Sequence, residues 1–133
     1  MASATEKATL ASVKESIGKQ YAELMNGYQK GDWKITSKIY GPNCTILEPG
    51  RATIKGRENA ERYWRELKEK TGVKQIEIKC QELNGSGDWF FERGAYILHN
   101  ATGPFEERTY LKVWRRWEGA WYIYTYIFIP KKL

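Results

Sequence analysis

The sequence predicts an α+β domain in which helices precede a strongly curved, mostly antiparallel sheet. Two observations predict it. Apolar residues recur at helical spacings of three and four over residues 5–29 and 57–70. Residues 74–129 instead break into segments that alternate apolar and polar side chains, separated by glycine-marked turns. Helices set apart from an antiparallel meander are the α+β pattern. The 133 residues suit one domain, 1–133, with no linker, repeat or low-complexity segment.

The elements follow in order. Val13, Ile17, Tyr21, Leu24 and Tyr28 form the buried stripe of a first helix, residues 5–29, which Ser3 and Glu6 would start as a capping box and Gly31 would end. Asp32 caps a short second helix carrying Trp33, Ile35 and Ile39. Gly41-Pro42-Asn43 reads as a turn, Cys44 to Glu48 as a strand broken by Pro49-Gly50, and the residues up to Gly56 as a loop. The third helix, residues 57–70, shows Ala60, Tyr63, Trp64 and Leu67 on one face, and Gly72 closes it. Four strands follow: Lys74 to Leu83, Trp89 to Asn100, Glu106 to Trp117, and Trp121 to Ile129. The turns between them are Asn84-Gly85-Ser86-Gly87, Thr102-Gly103-Pro104 and Glu118-Gly119. Gly94 falls inside a strand, where a missing side chain permits sharp bending. A bent sheet with helices across its concave side leaves a cleft suited to a small ligand.

Composition narrows the function. Aromatics are 14% of the chain, mostly six Trp and nine Tyr, whose N–H and O–H groups need partners when buried. Such a core suits a polar or wet cavity. Cys44 and Cys80 have neither metal nor redox spacing and read as buried free thiols. No cofactor motif, phosphate loop or metal cluster is visible. The absence of a signal-peptide or membrane-spanning run points to a cytoplasmic protein, in which the sequons at Asn43, Asn84 and Asn100 go unused. The net charge of +6 is spread among acids, apart from Arg115-Arg116 and Lys131-Lys132, which argues for a solvated surface rather than nucleic-acid binding. His99, the single histidine, stands at a strand end without visible partners and reads as a surface residue.

The ordered set Gly31-Asp32, Tyr40-Gly41-Pro42-Asn43, Ile46-Leu47-Glu48-Pro49, Gly56-Arg57-Glu58 and Tyr63-Trp64, with Val113 to Trp121 as a closing hairpin, resembles the nuclear-transport-factor-2-like superfamily. The similarity covers nearly the whole chain. It extends to the ketosteroid-isomerase and polyketide-cyclase branch, to the association domain of calcium/calmodulin-dependent kinases, and to uncharacterised stand-alone domains. It implies a cone-shaped sheet closed by three N-terminal helices, and commonly a homodimer packed through the sheet. A strand has two faces, so half of these aromatics should lie outside the cone, which also points to a homodimer.

Glu48 ends an apolar strand directly before Pro49, where the isomerase branch has a catalytic carboxylate. At the mouth of an apolar cavity a carboxylate loses hydration and becomes a better general base. The alternative is a solvated or salt-bridged strand end. The branch's oxyanion donors do not carry over: its helix-1 tyrosine falls at Leu24, and its aspartic donor at Leu111, Lys112 or Val113. Lys112 matches a basic pocket residue of the kinase association domain; it either enters the pocket, to pair with Glu48 or an anionic ligand, or snorkels to water. Tyr40, Tyr63, Trp64, Tyr96, Tyr110, Tyr126 and Phe128 are candidate lining, or ordinary core. Three functions are therefore open: a domain that binds a small apolar or anionic molecule in an aromatic pocket around Glu48, a lyase or isomerase with Glu48 as base, and a hub-like oligomerisation module.

Overall fold

The final strand, β6 (Ala120–Lys132), lies inside a six-stranded sheet of order β2-β1-β6-β5-β4-β3. The computed structural model describes residues 8–133. Its elements are α1 (Leu10–Lys30), α2 (Trp33–Ser37), β1 (Tyr40–Leu47), β2 (Ile54–Lys55), α3 (Arg57–Thr71), β3 (Gln75–Ser86), β4 (Trp89–Asn100), β5 (Gly103–Trp117) and β6. The α+β class and the four-strand meander β3 to β6 are as expected. The sheet is mixed, because β1 runs parallel to β6, and it is open, with β2 and β3 as its edges.

Several boundaries differ from expectation. Residues 8 and 9 are not helical. Thr9 is the N-cap of α1 and shares a capping box with Ser12, so the helix starts later than residue 5; the expected Ser3–Glu6 box lies outside the described residues. Gly31, at φ 70°, ends α1 in the left-handed conformation that only glycine adopts without strain. The Asp32 side chain caps α2 by accepting from the Ile35 amide at 3.1 Å, as expected.

Gly41-Pro42-Asn43 belongs to β1 and is not a turn. Pro42 has no N–H to give, and the β1–β6 register shifts between Tyr40 and Thr45, which accommodates it. The loop before α3 contains the two-residue strand β2, paired with Thr45 and Ile46. Asn84 to Ser86, expected in a loop, extend β3 instead. Thr102-Gly103-Pro104, expected as a turn, turns only at its start, because Gly103 and Pro104 already pair with Asn100 and His99 in β5. Of the two cysteines, Cys44 is buried in the core, but Cys80 is exposed. It sits on edge strand β3 at a bulge.

The core lies between the inward face of the sheet and α1 and α3. Strand parity selects it: Phe90, Glu92, Tyr96 and Leu98 of β4, and Arg108, Tyr110, Lys112 and Trp114 of β5, are all buried. Gly94 shares that face at the tightest approach. A Cβ there would fall 2.2 Å from the Lys79 carbonyl oxygen and 2.9 Å from Tyr110 Oη. The first of these atoms is backbone and cannot rotate away, and the neighbouring bulge bends β3 over this point. We expect Gly94→Ala to destabilise the fold by about 3 kcal/mol or more, at or above the usual overpacking range, as read by urea unfolding. A variant as stable as wild type would show that β3 can move aside.

Candidate functional site

Six of the seven expected ligand-binding residues meet in the core. Tyr40, Trp64, Tyr96, Lys112, Tyr126 and Phe128 are each at most 2% exposed. Trp64 Nε1–H donates to Tyr40 Oη at 2.8 Å. The Tyr126 ring stacks on Phe128 with centroids 4.9 Å apart and meets Tyr96 at 5.8 Å. Glu48, the seventh, stands just past the end of β1 at the wall of a surface cleft. Its nearest cation is Arg51, at 3.6 Å.

Lys112 turns inward. In register it lies between Glu92 of β4 and Tyr126 of β6. Its ammonium sits over four tyrosine rings, at 4.5 Å from the centroid of Tyr21, 4.3 Å from Tyr96, 5.0 Å from Tyr110 and 5.1 Å from Tyr126. Such faces attract a desolvated cation. It does not pair with Glu48. Its Nζ donates at 2.7 Å to the hydroxyl of Tyr21, which donates onward at 2.7 Å to Glu92 Oε1. Glu92 also accepts from Trp114 Nε1–H at 3.0 Å and from the Tyr110 hydroxyl. A buried carboxylate therefore has three donors, and the ammonium reaches it through a phenol. Burial pulls the Lys112 amine down to about 7, with the Glu92 charge opposing that fall.

The second centre is Arg108, whose side chain is 3% exposed. Nε donates to Glu106 Oε2 at 2.5 Å and one terminal N–H to the Tyr63 hydroxyl at 2.8 Å. The guanidinium lies 4.1 Å from the Phe128 ring centroid. Burial pushes the Tyr63 phenol up to about 12, against the lowering effect of the Arg108 charge. Arg108, Tyr63 and Glu106 also line the cleft that holds Glu48, about 190 Å³ in volume, with Arg51, Glu66 and Lys70 among its other walls. Arg108 thus joins the cleft to the aromatic interior. Another surface cleft, of about 170 Å³ between the Gly41–Asn43 backbone and Trp117, Tyr122 and Tyr124, contains none of the expected site residues.

Glu92, Arg108 and the polar role of Tyr21 were not among the expected site residues. The signal was parity: Glu92 is two residues from Phe90, and Arg108 is two from Tyr110, so each shares a face with a core aromatic. His99 is partly buried, with Nε2 3.3 Å from Glu77 Oε1. Among the described residues no cluster of ligating side chains suits a metal, and no helix is long and apolar enough to cross a membrane.

The buried pair makes two measurements decisive. Glu92→Gln and Lys112→Met should each cost about 3 kcal/mol in urea unfolding, and the double variant much less than their sum, because removing one partner strands the other. The pH dependence has a defined sign. The unfolded chain holds the lysine proton up to roughly pH 10.4, whereas the folded protein releases it near 7. Between these values the unfolded state binds more protons, so stability rises with pH. Lys112→Met should lack that rise; an unchanged pH profile would remove Lys112 as its source.

No protein-family model matches the chain, and no curated protein matches it. Solved structures do. A protein of unknown function with a cystatin-like fold from Nostoc punctiforme superposes with a TM-score of 0.74 at 12% identity, over 92% of this chain and 93% of that one. An NTF-2-like protein of unknown function from Shewanella oneidensis gives 0.72 at 11% identity, over 88% and 98%. A ketosteroid isomerase-like protein from Erwinia carotovora atroseptica gives 0.67 at 20% identity, over 87% and 94%. The chain therefore has the NTF2-like, cystatin-like α+β fold.

Proposed function

We propose that this is a small-molecule-binding domain whose ligand enters the Glu48 cleft, and that it acts as a homodimer packed through the outer face of its sheet. One observation carries the reading: a cleft of about 190 Å³ is backed by two buried polar side chains, Tyr63 and Arg108. Burying a guanidinium is costly unless its hydrogen bonds are used. In this reading the sheet curves as a cone around the aromatic interior, the cleft is its mouth, and Glu48 is a polar anchor on the wall.

The dimer rests on the opposite face. Trp89, Leu111, Tyr124, Ile127 and Ile129 are between 37% and 62% exposed and project from β4, β5 and β6. An apolar sheet face of this kind suits a protein partner, and the resemblance described above makes a second copy the proposed one.

A second reading has one observation in its favour: a cation, Arg108, shares the cleft with Glu48. In a proton transfer, the Glu48 carboxylate would take a C–H proton next to a ligand carbonyl. The electron pair would move onto the carbonyl oxygen, and Arg108 N–H groups would hold that oxygen. A ketosteroid isomerase-like protein shares the fold, which is compatible with such chemistry.

A compound library screened by thermal shift against wild type and Glu48→Gln tests the site. Compounds that stabilise wild type should lose that effect in the variant, and identical profiles would remove Glu48 from it. Turnover of a bound carbonyl compound that vanishes in Glu48→Gln would favour the second reading. Light scattering tests the dimer: wild type should show twice the mass of one chain and Ile129→Lys with Leu111→Lys the mass of one. A wild-type monomer would overturn the dimer, and a larger ring would favour a hub.

A further inference from the structure

We infer that a second ligand site lies on the outer face of the sheet and takes a small aromatic carboxylate, its ring packed on Trp117, Tyr122 and Tyr124 and its charge held by Arg115. The inference goes beyond the Glu48 reading, because the two clefts share no lining residue. The site is the cleft of about 170 Å³ beside the Gly41–Asn43 backbone. It originates in an irregularity of β6 at one residue. The β5–β6 ladder pairs Trp114 with Ile123 and Val113 with Thr125, so Tyr124 stands opposite no residue of β5. On the other side, the β1–β6 ladder passes from Tyr40–Ile123 to Thr45–Thr125, so residues 41–44 of β1 stand against Tyr124 alone. Such bulges bend the strand, break the ladder locally and re-aim side chains.

Aromatic side chains wall the opening. Trp117 is 44% and Tyr124 39% exposed, and Tyr122 is partly buried. Trp117 meets Tyr122 at 6.4 Å between centroids, and Tyr124 meets Trp89 edge-on at 5.1 Å. Arginines lie over two of these rings. The Arg115 guanidinium is 5.3 Å from the Trp89 centroid, and that of Arg57 is 5.6 Å from the Tyr122 centroid. Stacking holds a guanidinium by its flat face and leaves its N–H edge to bind an anion. Among the described residues Arg51, Arg65, Arg93, Arg108 and Arg116 each have a carboxylate partner, whereas Arg115 and Arg57 have none.

These features select the class of ligand. Arg115 lines the cleft, and no Asp or Glu does. An anion therefore meets a guanidinium without a competing carboxylate, the reverse of the other cleft, where Glu48, Glu66 and Glu106 are among the walls. A carboxylate matches the guanidinium fork. Bare aromatic faces would also attract a cation, but here Arg115 and Arg57 already lie over Trp89 and Tyr122 and would repel it. The walls favour a flat ring, since aromatic pairs gain beyond the area they bury. The volume restricts that ring system to a small one. Trp89 and Tyr124 also belong to the face proposed for the dimer, whereas Leu111, Ile127 and Ile129 lie farther from the β5–β6 hairpin.

Calorimetric titration with sodium benzoate, indole-3-carboxylate and cyclohexanecarboxylate, each against its neutral amide, tests the site. At least one aromatic acid should bind about tenfold more tightly than its amide, the equivalent of one charge-assisted hydrogen bond. Arg115→Gln should bring that acid down to its amide, and Trp117→Leu should bring it down to the cyclohexane acid. Both side chains are exposed, so both variants should melt close to wild type. Glu48→Gln should bind the acid as wild type does. Acid and amide binding equally would overturn the inference, as would an Arg115→Gln variant that keeps wild-type affinity. Binding lost in Glu48→Gln would put the acid in the other cleft and overturn this site while supporting that one. A wild type that is dimeric by light scattering and binds none of the acids would also overturn it, because the second copy then covers these rings. A monomer that binds none would overturn it together with the dimer and leave the Glu48 cleft to its own screen.

Discussion

The three hydrogen bonds that Tyr21, Tyr110 and Trp114 give to the Glu92 carboxylate set the terms for the rest of the interior. A charge in the core is tolerated only when its lone pairs are used and a counter-charge is near. Glu92 meets the first condition with side chains from α1 and β5, and the second with Lys112 one phenol away. The network consequently fixes the rotation of α1 over the sheet, because Tyr21 must lie between an amine and a carboxylate. Gln20, the residue before it, adds a bond to the Trp121 carbonyl at 2.6 Å and ties the same turn of helix to β6. Apolar packing alone would fix this register less sharply.

The space between helices and sheet is thus occupied by the protein's own charges. Lys112 fills one part under four tyrosine rings, and Arg108 fills the next above Phe128. These two cations differ in what surrounds them. Lys112 is closed off, and its donor chain ends on Glu92. Arg108 opens onto the cleft beside Tyr63 and Glu106. The first arrangement holds structure together, and the second presents a guanidinium at a cleft wall. This asymmetry is why the proposed site is the Arg108 side of the interior.

Much of this was legible in the sequence, and the exceptions have physical causes. The meander was readable because its turns carry glycine and its strands alternate, and Tyr40, Tyr63, Trp64, Tyr96, Tyr110, Tyr126 and Phe128 were readable only as candidate lining or core, all of them being buried. Lys112 could not be oriented without the register of the β5–β6 hairpin, since a slip of one residue reverses a strand's faces. Glu92 and Arg108 obey the same parity as Phe90 and Tyr110, yet their charge argues for the outside; only a partner brought by the tertiary fold reverses that preference. Tyr21 looked like one more apolar contact on the α1 stripe because nothing in a helix period distinguishes a phenol that packs from one that bridges an amine and a carboxylate. Glu48 was placed correctly at the end of β1, but its surroundings are charged rather than aromatic.

The open edge of the sheet bears on how the protein behaves in a crowd. Strand β3 runs twelve residues along that edge with no strand paired on its far side among the described residues, a template for another extended chain. Its middle resists this. The bulge between Cys80 and Glu82 breaks the regular spacing of its free amides and carbonyls. Lys79 pairs with Glu77, and Arg93 with Glu82, so fixed charge lines the same stretch. Gly94, which lets β3 close in at Lys79 and Cys80, lies opposite this same irregular stretch. An edge taken out of straight in this way is a poorer template for edge-to-edge joining than a flat one.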